Sequence, residues 1–319
     1  MQPMDKEITK KIHLLKEKYE AIGQDLETHL DGLLYSKPMR YWDFVQTDAL
    51  LNLQVQRTVY PDEMVFLMYH QINELIFKMI LWEMKQISYH KNLTAAFFTA
   101  RLGRISRYFD MLSASFDVMG EGMEVAQYMK FRDTLTPASG FQSAQYRMIE
   151  ICSTNLINLI DIRFRATIDR NTPFEHAFEH MYWQAAGKDH KTGKKSYLLK
   201  EFEAKYKDEL IRLMQEYNTI NLYDKYKSLP REIKEDIDLK NAMRHYDYTV
   251  NISWVMHHYE AACKYLLSEG EDTEATGGSD WQKYMLPKYQ KRIFFPELWS
   301  QDELDNWGIT NLKACKILS

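Results

Sequence analysis

Five histidines stand where their neighbours make chemistry conceivable: His70, the pair His176 and His180, and the doublet His257-His258. A neutral imidazole can ligate a metal, accept a hydrogen bond or act as a base near neutral pH. The run HAFEH at 176–180 matches the HxxEH zinc-peptidase pattern and puts its two histidines one helical turn apart. Such an enzyme needs a third ligand, which cannot be assigned in the sequence, so a partly exposed helix face explains the pair better. A zinc hydrolase would carry bound zinc and show no Soret absorption. In the doublet, consecutive helical residues point about 100° apart, so at most one of them faces a given pocket. Trp254 lies one turn before His258, and His70 stands among Phe66, Leu67, Asn73 and Phe77. Taken singly, His70 and either member of the doublet read more readily as a hydrogen-bonded core histidine than as a ligand.

The elements that must carry these side chains are helices. Only 12 Gly and 8 Pro punctuate 319 residues, and long stretches lack both. Residues 5–30 are charge-rich with apolar positions at helical spacing, the pattern of an arm that covers a neighbour's surface. Lys37-Pro38 breaks the chain, and Pro61 allows a new start with Asp62 as cap or first-turn acid. From Glu63 to about Ile87 the chain is apolar on most of its circumference, as in a helix deep inside a bundle. Further helices are expected over 99–118, 143–162, 196–217 and 240–267. Thr172-Pro173-Phe174-Glu175 reads as a helix start with Thr172 as cap, Glu175 completing a capping box, and Gly187 suiting the end. Turn formers around Tyr128, Arg132 and Ser139 imply irregular backbone, and SEGEDTEATGGSD at 268–280 reads as a mobile loop.

Composition narrows the function classes. A formal charge of -4 without clustering supplies no basic face for nucleic acid and no polybasic membrane anchor. No stretch reaches the ~18 apolar residues of a membrane span, and the amino terminus lacks a signal-like apolar core, so a cytoplasmic protein acting on a small ligand is expected. Cys152, Cys263 and Cys315 are too scattered for a disulfide framework or a CxxC site. The 13% aromatic content and 17 Met suit either a planar cofactor or an ordinary helical core.

Three separated segments carry a more specific signal: DEMVFLMYHQINELIFK at 62–78, FRDTLTPASGFQSAQYRMIE at 131–150, and WVMHHYE at 254–260 followed by ATGGS and FFPELW. In this order they resemble the tryptophan 2,3-dioxygenases. The resemblance runs from about Tyr41 to Trp299, poorly in the middle. It implies an all-α fold, a large helical bundle binding haem b whose iron is ferrous in the active state, in a homotetramer. The arm would be residues 1–40 and the catalytic domain 41–319. It further implies insertion of both atoms of O2 across the indole C2–C3 bond of L-tryptophan, giving N-formyl-L-kynurenine at the head of the kynurenine pathway.

Residue by residue, the Trp-x-x-x-His spacing of the family puts the axial iron ligand at His258. His70 matches the distal histidine at the indole N–H, Phe66 an apolar residue against the indole, and Arg132 the partner of the substrate carboxylate, a role suited to its fork of donors. Tyr128 would support that carboxylate, Thr276 would contact the amino-acid end, and Ser139 would lie near the haem edge. Tyr41 falls on an aromatic pair that a neighbouring subunit contributes to the pocket. Phe44 replaces the usual tyrosine of that pair, and ATGGSDW stands where GTGGSSG is typical, behind an acidic run from Glu269 to Glu274. These departures leave open a related haem oxygenase acting on another indole or aromatic amino acid.

Overall fold

The computed structural model describes residues 5–132, 143–189, 192–266 and 286–309. The chain divides into two compact units, 1–54 and 55–319. In the first, α1 (Lys6–Glu20) and α2 (Leu26–Tyr35) are capped by Asp5 and Asp25, whose carboxylates accept from Glu7 N and Thr28 N. The two helices part at Gly23, whose φ of +71° suits glycine. Tyr19 stacks on His29 at 4.0 Å. Two short helices follow, α3 (Tyr41–Val45) and α4 (Thr47–Leu50), and neither they nor α1 and α2 bury a residue.

The second unit is built on α5 (Asp62–Ser88), with α6 (Ala95–Ala114), α7 (Phe116–Gly120), α8 (Val125–Phe131) and α9 (Ala144–Ser153) in order along the chain. Then come α10 (Phe174–Glu179), α11 (Tyr197–Tyr217), α12 (Leu222–Lys227), α13 (Arg231–Lys234), α14 (Ile237–Tyr248) and α15 (Trp254–Leu266). α6 packs on α5 and α14, and α9 packs on α5 and α11. The core between them includes Ile80, Met84, Ile87, Phe98, Leu102, Phe109 and Tyr246, all essentially inaccessible. Among the described residues no strand forms, only the isolated bridges Ile160–Met181 and Lys188–Lys195. No described helix is long and apolar enough to cross a membrane. The all-helical expectation therefore holds.

Several local expectations are corrected. Thr172 does not cap α10: its hydroxyl donates to Asp169 at 3.0 Å, and Pro173 occupies the cap position without a side-chain bond. α10 ends at Glu179, and the chain continues as a 3-10 helix (Tyr182–Gly187). α9 stops at Ser153, whose hydroxyl bonds back to Ile149 O at 2.6 Å. α5 is not buried all round: Met68, Ile72, Leu75, Met79 and Trp82 are exposed at alternating spacings of four and three residues. The helical run 237–266 is continuous but holds a π-helical turn, Thr249–Ser253, between α14 and α15.

Candidate haem and substrate site

Four helices converge on the site, since α5 meets α7 and α8, and α15 meets α7 and α8 as well. α5 supplies Phe66 and His70 on one face because they are four residues apart. The carbonyl of Phe66 lies 2.7 Å from His70 Nδ1. A carbonyl can only accept, so Nδ1 carries the proton and Nε2 is left with its lone pair. Burial lowers the His70 pKa, opposed by the Phe66 hydrogen bond and by Glu74, which keeps this tautomer neutral. Phe66 lies against the His70 ring at 4.1 Å, and Tyr69 meets the same ring edge-on at 5.3 Å.

α8 brings the next pair. The ring of Tyr128 lies 6.0 Å from Phe66, and Phe131 closes the group at 5.8 Å from Phe66. Burial raises the Tyr128 pKa, and the Arg132 charge pulls it back, which places guanidinium and phenol in one neighbourhood. Arg132 is the C-terminal cap of α8 and is buried, with Nη1 3.8 Å from Met129 Sδ.

On α15 the histidine doublet is resolved. His257 is exposed, and its Nδ1 donates to Ser253 O at 2.8 Å. His258 turns the other way: its ring stacks on Phe116 at 5.3 Å with planes 13° apart, and it lies 5.9 Å from Trp254. Solvent reaches the ring, yet the protein around it pushes its pKa down to about 4, burial first and then repulsion from His70. Ring contacts join the two histidines: Tyr69 meets His70 edge-on at 5.3 Å and Phe116 at 6.2 Å, and Phe116 carries His258. Among the described residues neither nitrogen of His258 has a hydrogen-bond partner.

This donor set fits a haem. The His258 imidazole, oriented by ring stacking and unengaged at nitrogen, could ligate the haem iron, and the flanking Phe116 and Trp254 would suit an apolar macrocycle. His176 and His180 stand with ring centroids 4.8 Å apart, but Glu179 is committed to Lys195 and Lys207. Among the described residues no group of three or more His, Cys, Asp or Glu could hold a metal ion.

A model of the family described as tryptophan 2,3-dioxygenase matches residues 32–271. The chain belongs to the tryptophan 2,3-dioxygenase family. Relatives named tryptophan 2,3-dioxygenase include one from Ruegeria sp. (strain TM1040), 40% identical over 118 residues, which are 36% of this chain and 42% of that protein. Another, from Bacillus cereus (strain ATCC 10987 / NRS 248), is 37% identical over 135 residues, 41% of this chain and 46% of the relative. A third, from Polaromonas sp., is 37% identical over 139 residues, 43% and 45% respectively. The chain thus spans less than half the length of these curated relatives in alignment.

Of the expected family site, the structure brings together Phe66, His70, Tyr128, Arg132 and His258. Tyr41 and Phe44 are exposed on α3 in the first unit. Ser139 and Thr276 lie outside the described residues. Sequence reasoning missed Phe116, which is an ordinary core aromatic until its ring is seen flat on His258. It also gave FFPELW no task, whereas Phe294 N, Phe295 N and Trp299 Nε1 all donate to the buried carboxylate of Asp247.

Proposed function

We propose that this chain is a haem-dependent tryptophan 2,3-dioxygenase that converts L-tryptophan and O2 to N-formyl-L-kynurenine. The observation that carries the reading is the run of ring contacts through Tyr69 and Phe116 that joins His70 to His258, with Phe66, Tyr128 and Arg132 gathered on the His70 side. Haem b held by His258 supplies, when bound, the ferrous iron that activates dioxygen.

The chain's own residues bind and orient the substrate. His70 Nε2, its lone pair set by the Nδ1–H bond to Phe66 O, accepts the indole N–H. Phe66 packs on the indole plane, and the buried Arg132 guanidinium pairs with the carboxylate, supported by Tyr128. By resemblance, Thr276 would contact the amino-acid end and Ser139 would lie near the haem edge. Burial of Phe131 and Arg132, with Tyr128 half-buried beside them, excludes water, which strengthens the Arg132–carboxylate pair.

The functional unit is a homotetramer in the cytoplasm, in which residues 1–40 form the arm and Tyr41 and Phe44 reach a neighbouring subunit's pocket. The exposed apolar row on α5 and the wholly unburied helices of residues 1–54 support association, because isolated chains rarely leave such surface open. Free Cys152 and Cys263 suit a reducing compartment.

The test is anaerobic reduction of the haem-loaded protein, addition of L-tryptophan and isotopically labelled dioxygen, and mass analysis of the product. N-formylkynurenine with both labelled oxygen atoms, lost in His258→Ala, is the expected result. One labelled atom indicates the related oxygenase that Phe44 raises, and failure to bind haem overturns the reading.

A further inference from the structure

α14 and α15 form one helical run except for the π turn, in which Trp254 N–H bonds back to Thr249 O, five residues earlier instead of four. Such a turn holds one residue more than an α turn, and it sets everything downstream back by about 100°, the angle between neighbours on a helix. His258 therefore stands at the angle that His257 would take if α14 ran on undisturbed. Which member of the doublet faces the site is decided here, four residues before it.

The turn is clamped by buried polar groups. Asn251 Nδ2 donates to Asp247 Oδ1 at 2.6 Å, and Arg292 Nε donates to Asn251 Oδ1. The Asp247 carboxylate, fully buried, also accepts from Phe294 N at 2.9 Å, Phe295 N at 3.0 Å and Trp299 Nε1 at 3.0 Å. Arg292 continues to Glu150 Oε1 at 2.5 Å and to the hydroxyl of Tyr146 at 2.9 Å. The Tyr146 ring stacks on Trp254, the first residue of α15, at 4.8 Å. One buried arginine thus holds both the turn and the start of the helix it redirects. Removing a partner from such a network exposes an unpaired buried group, so the turn does not relax freely.

We infer that Asn251 and Asp247 are positioning residues: they clip the π turn to segment 292–299, and the turn sets the rotation of α15 that presents His258 in place of His257 to the haem. This rests on the proposed function, from which its test is separable. With the full chain loaded with haem and reduced, the iron–histidine stretching band should vanish in His258→Ala and persist in His257→Ala. A band that survives His258→Ala overturns the ligand assignment, and with it the inference.

Given that control, Asn251→Leu should keep the helical circular-dichroism signal yet lose haem affinity by about tenfold or more, the scale for losing a group that orients a metal ligand, with the band weakened or shifted. If Asn251→Leu does not fold, Trp299→Phe decides, since it removes only the outermost donor to Asp247. It should lower haem affinity about two- to fivefold, as one hydrogen bond predicts. An unchanged band and affinity in whichever of these folds overturns the inference.

Discussion

The ring of Phe116 lies flat against that of His258, planes 13° apart and centroids 5.3 Å apart, so the imidazole is oriented without either nitrogen being used. Phe116 is nearly buried and also touches Tyr69 and Trp254. Phe116→Ala should cost about 3–5 kcal/mol of stability, as for other buried aromatics. Phe116→Leu should cost less but still broaden the Soret band by freeing the ring. Thermal unfolding and absorption spectra of the two variants check both statements; a Soret band in Phe116→Leu identical to the parent's counts against the stacking role.

His70 is held neutral because burial lowers its pKa below the ordinary 6.5. Protonation of Nε2 removes the acceptor for the indole N–H, so the acid limb of kcat/KM should have its midpoint below the ordinary 6.5. His70→Ala should lower kcat/KM by about tenfold if the residue orients the ring, the scale of one hydrogen bond, and by far more if it moves a proton. A pH–rate profile with its acid limb at or above 6.5 would contradict the buried neutral histidine.

Arg132→Leu should raise KM for tryptophan by about ten- to 150-fold, equivalent to 1.5–3 kcal/mol for a charged hydrogen bond. An indole lacking the carboxylate, such as tryptamine, should bind equally to parent and variant. Comparable losses for both ligands would remove the carboxylate role.

Glu150 is fully buried between Arg147 and Arg292, at 3.1 and 2.5 Å. Glu150→Ala leaves two buried guanidinium groups without their carboxylate and should destabilise the fold by about 3–5 kcal/mol. Denaturant unfolding measures this directly, and a cost under about 1 kcal/mol would mean that solvent or another group takes over the pairing.

Glu179 has its carboxyl at about 2 against an ordinary 4.5: burial works against this, and hydrogen bonds from Lys195 and Lys207 outweigh it. Because the folded value is the lower one, the stabilisation is complete above pH 4.5 and is lost as the pH falls toward 2. Glu179→Gln should therefore reduce stability at pH 6 and have a shrinking effect below pH 4. His176→Ala/His180→Ala should alter neither zinc content nor haem content.

Much of this molecule was legible in its residues. The scarcity of Gly and Pro and the helical spacing of apolar positions determine an all-α chain, because backbone hydrogen bonding and the 3.6-residue period are local properties. The wording around His70, Arg132 and His258 determined the family, and it named most of the residues of the candidate site. Helix ends were less legible: Thr172 has the right type for a cap, but Asp169 competes for its hydroxyl.

What only the tertiary structure decided is direction and partnership. His257 and His258 are identical in type and adjacent in sequence, and a π turn held by Asn251, Asp247 and the distant Arg292 sets which one stacks on Phe116. The reason is physical: a side chain's angle on a helix is fixed by every residue before it, and one extra residue in a turn is stabilised only by contacts that the linear sequence does not contain. The same holds for Phe116, whose part depends on where α7 meets α15 and not on any pattern around it.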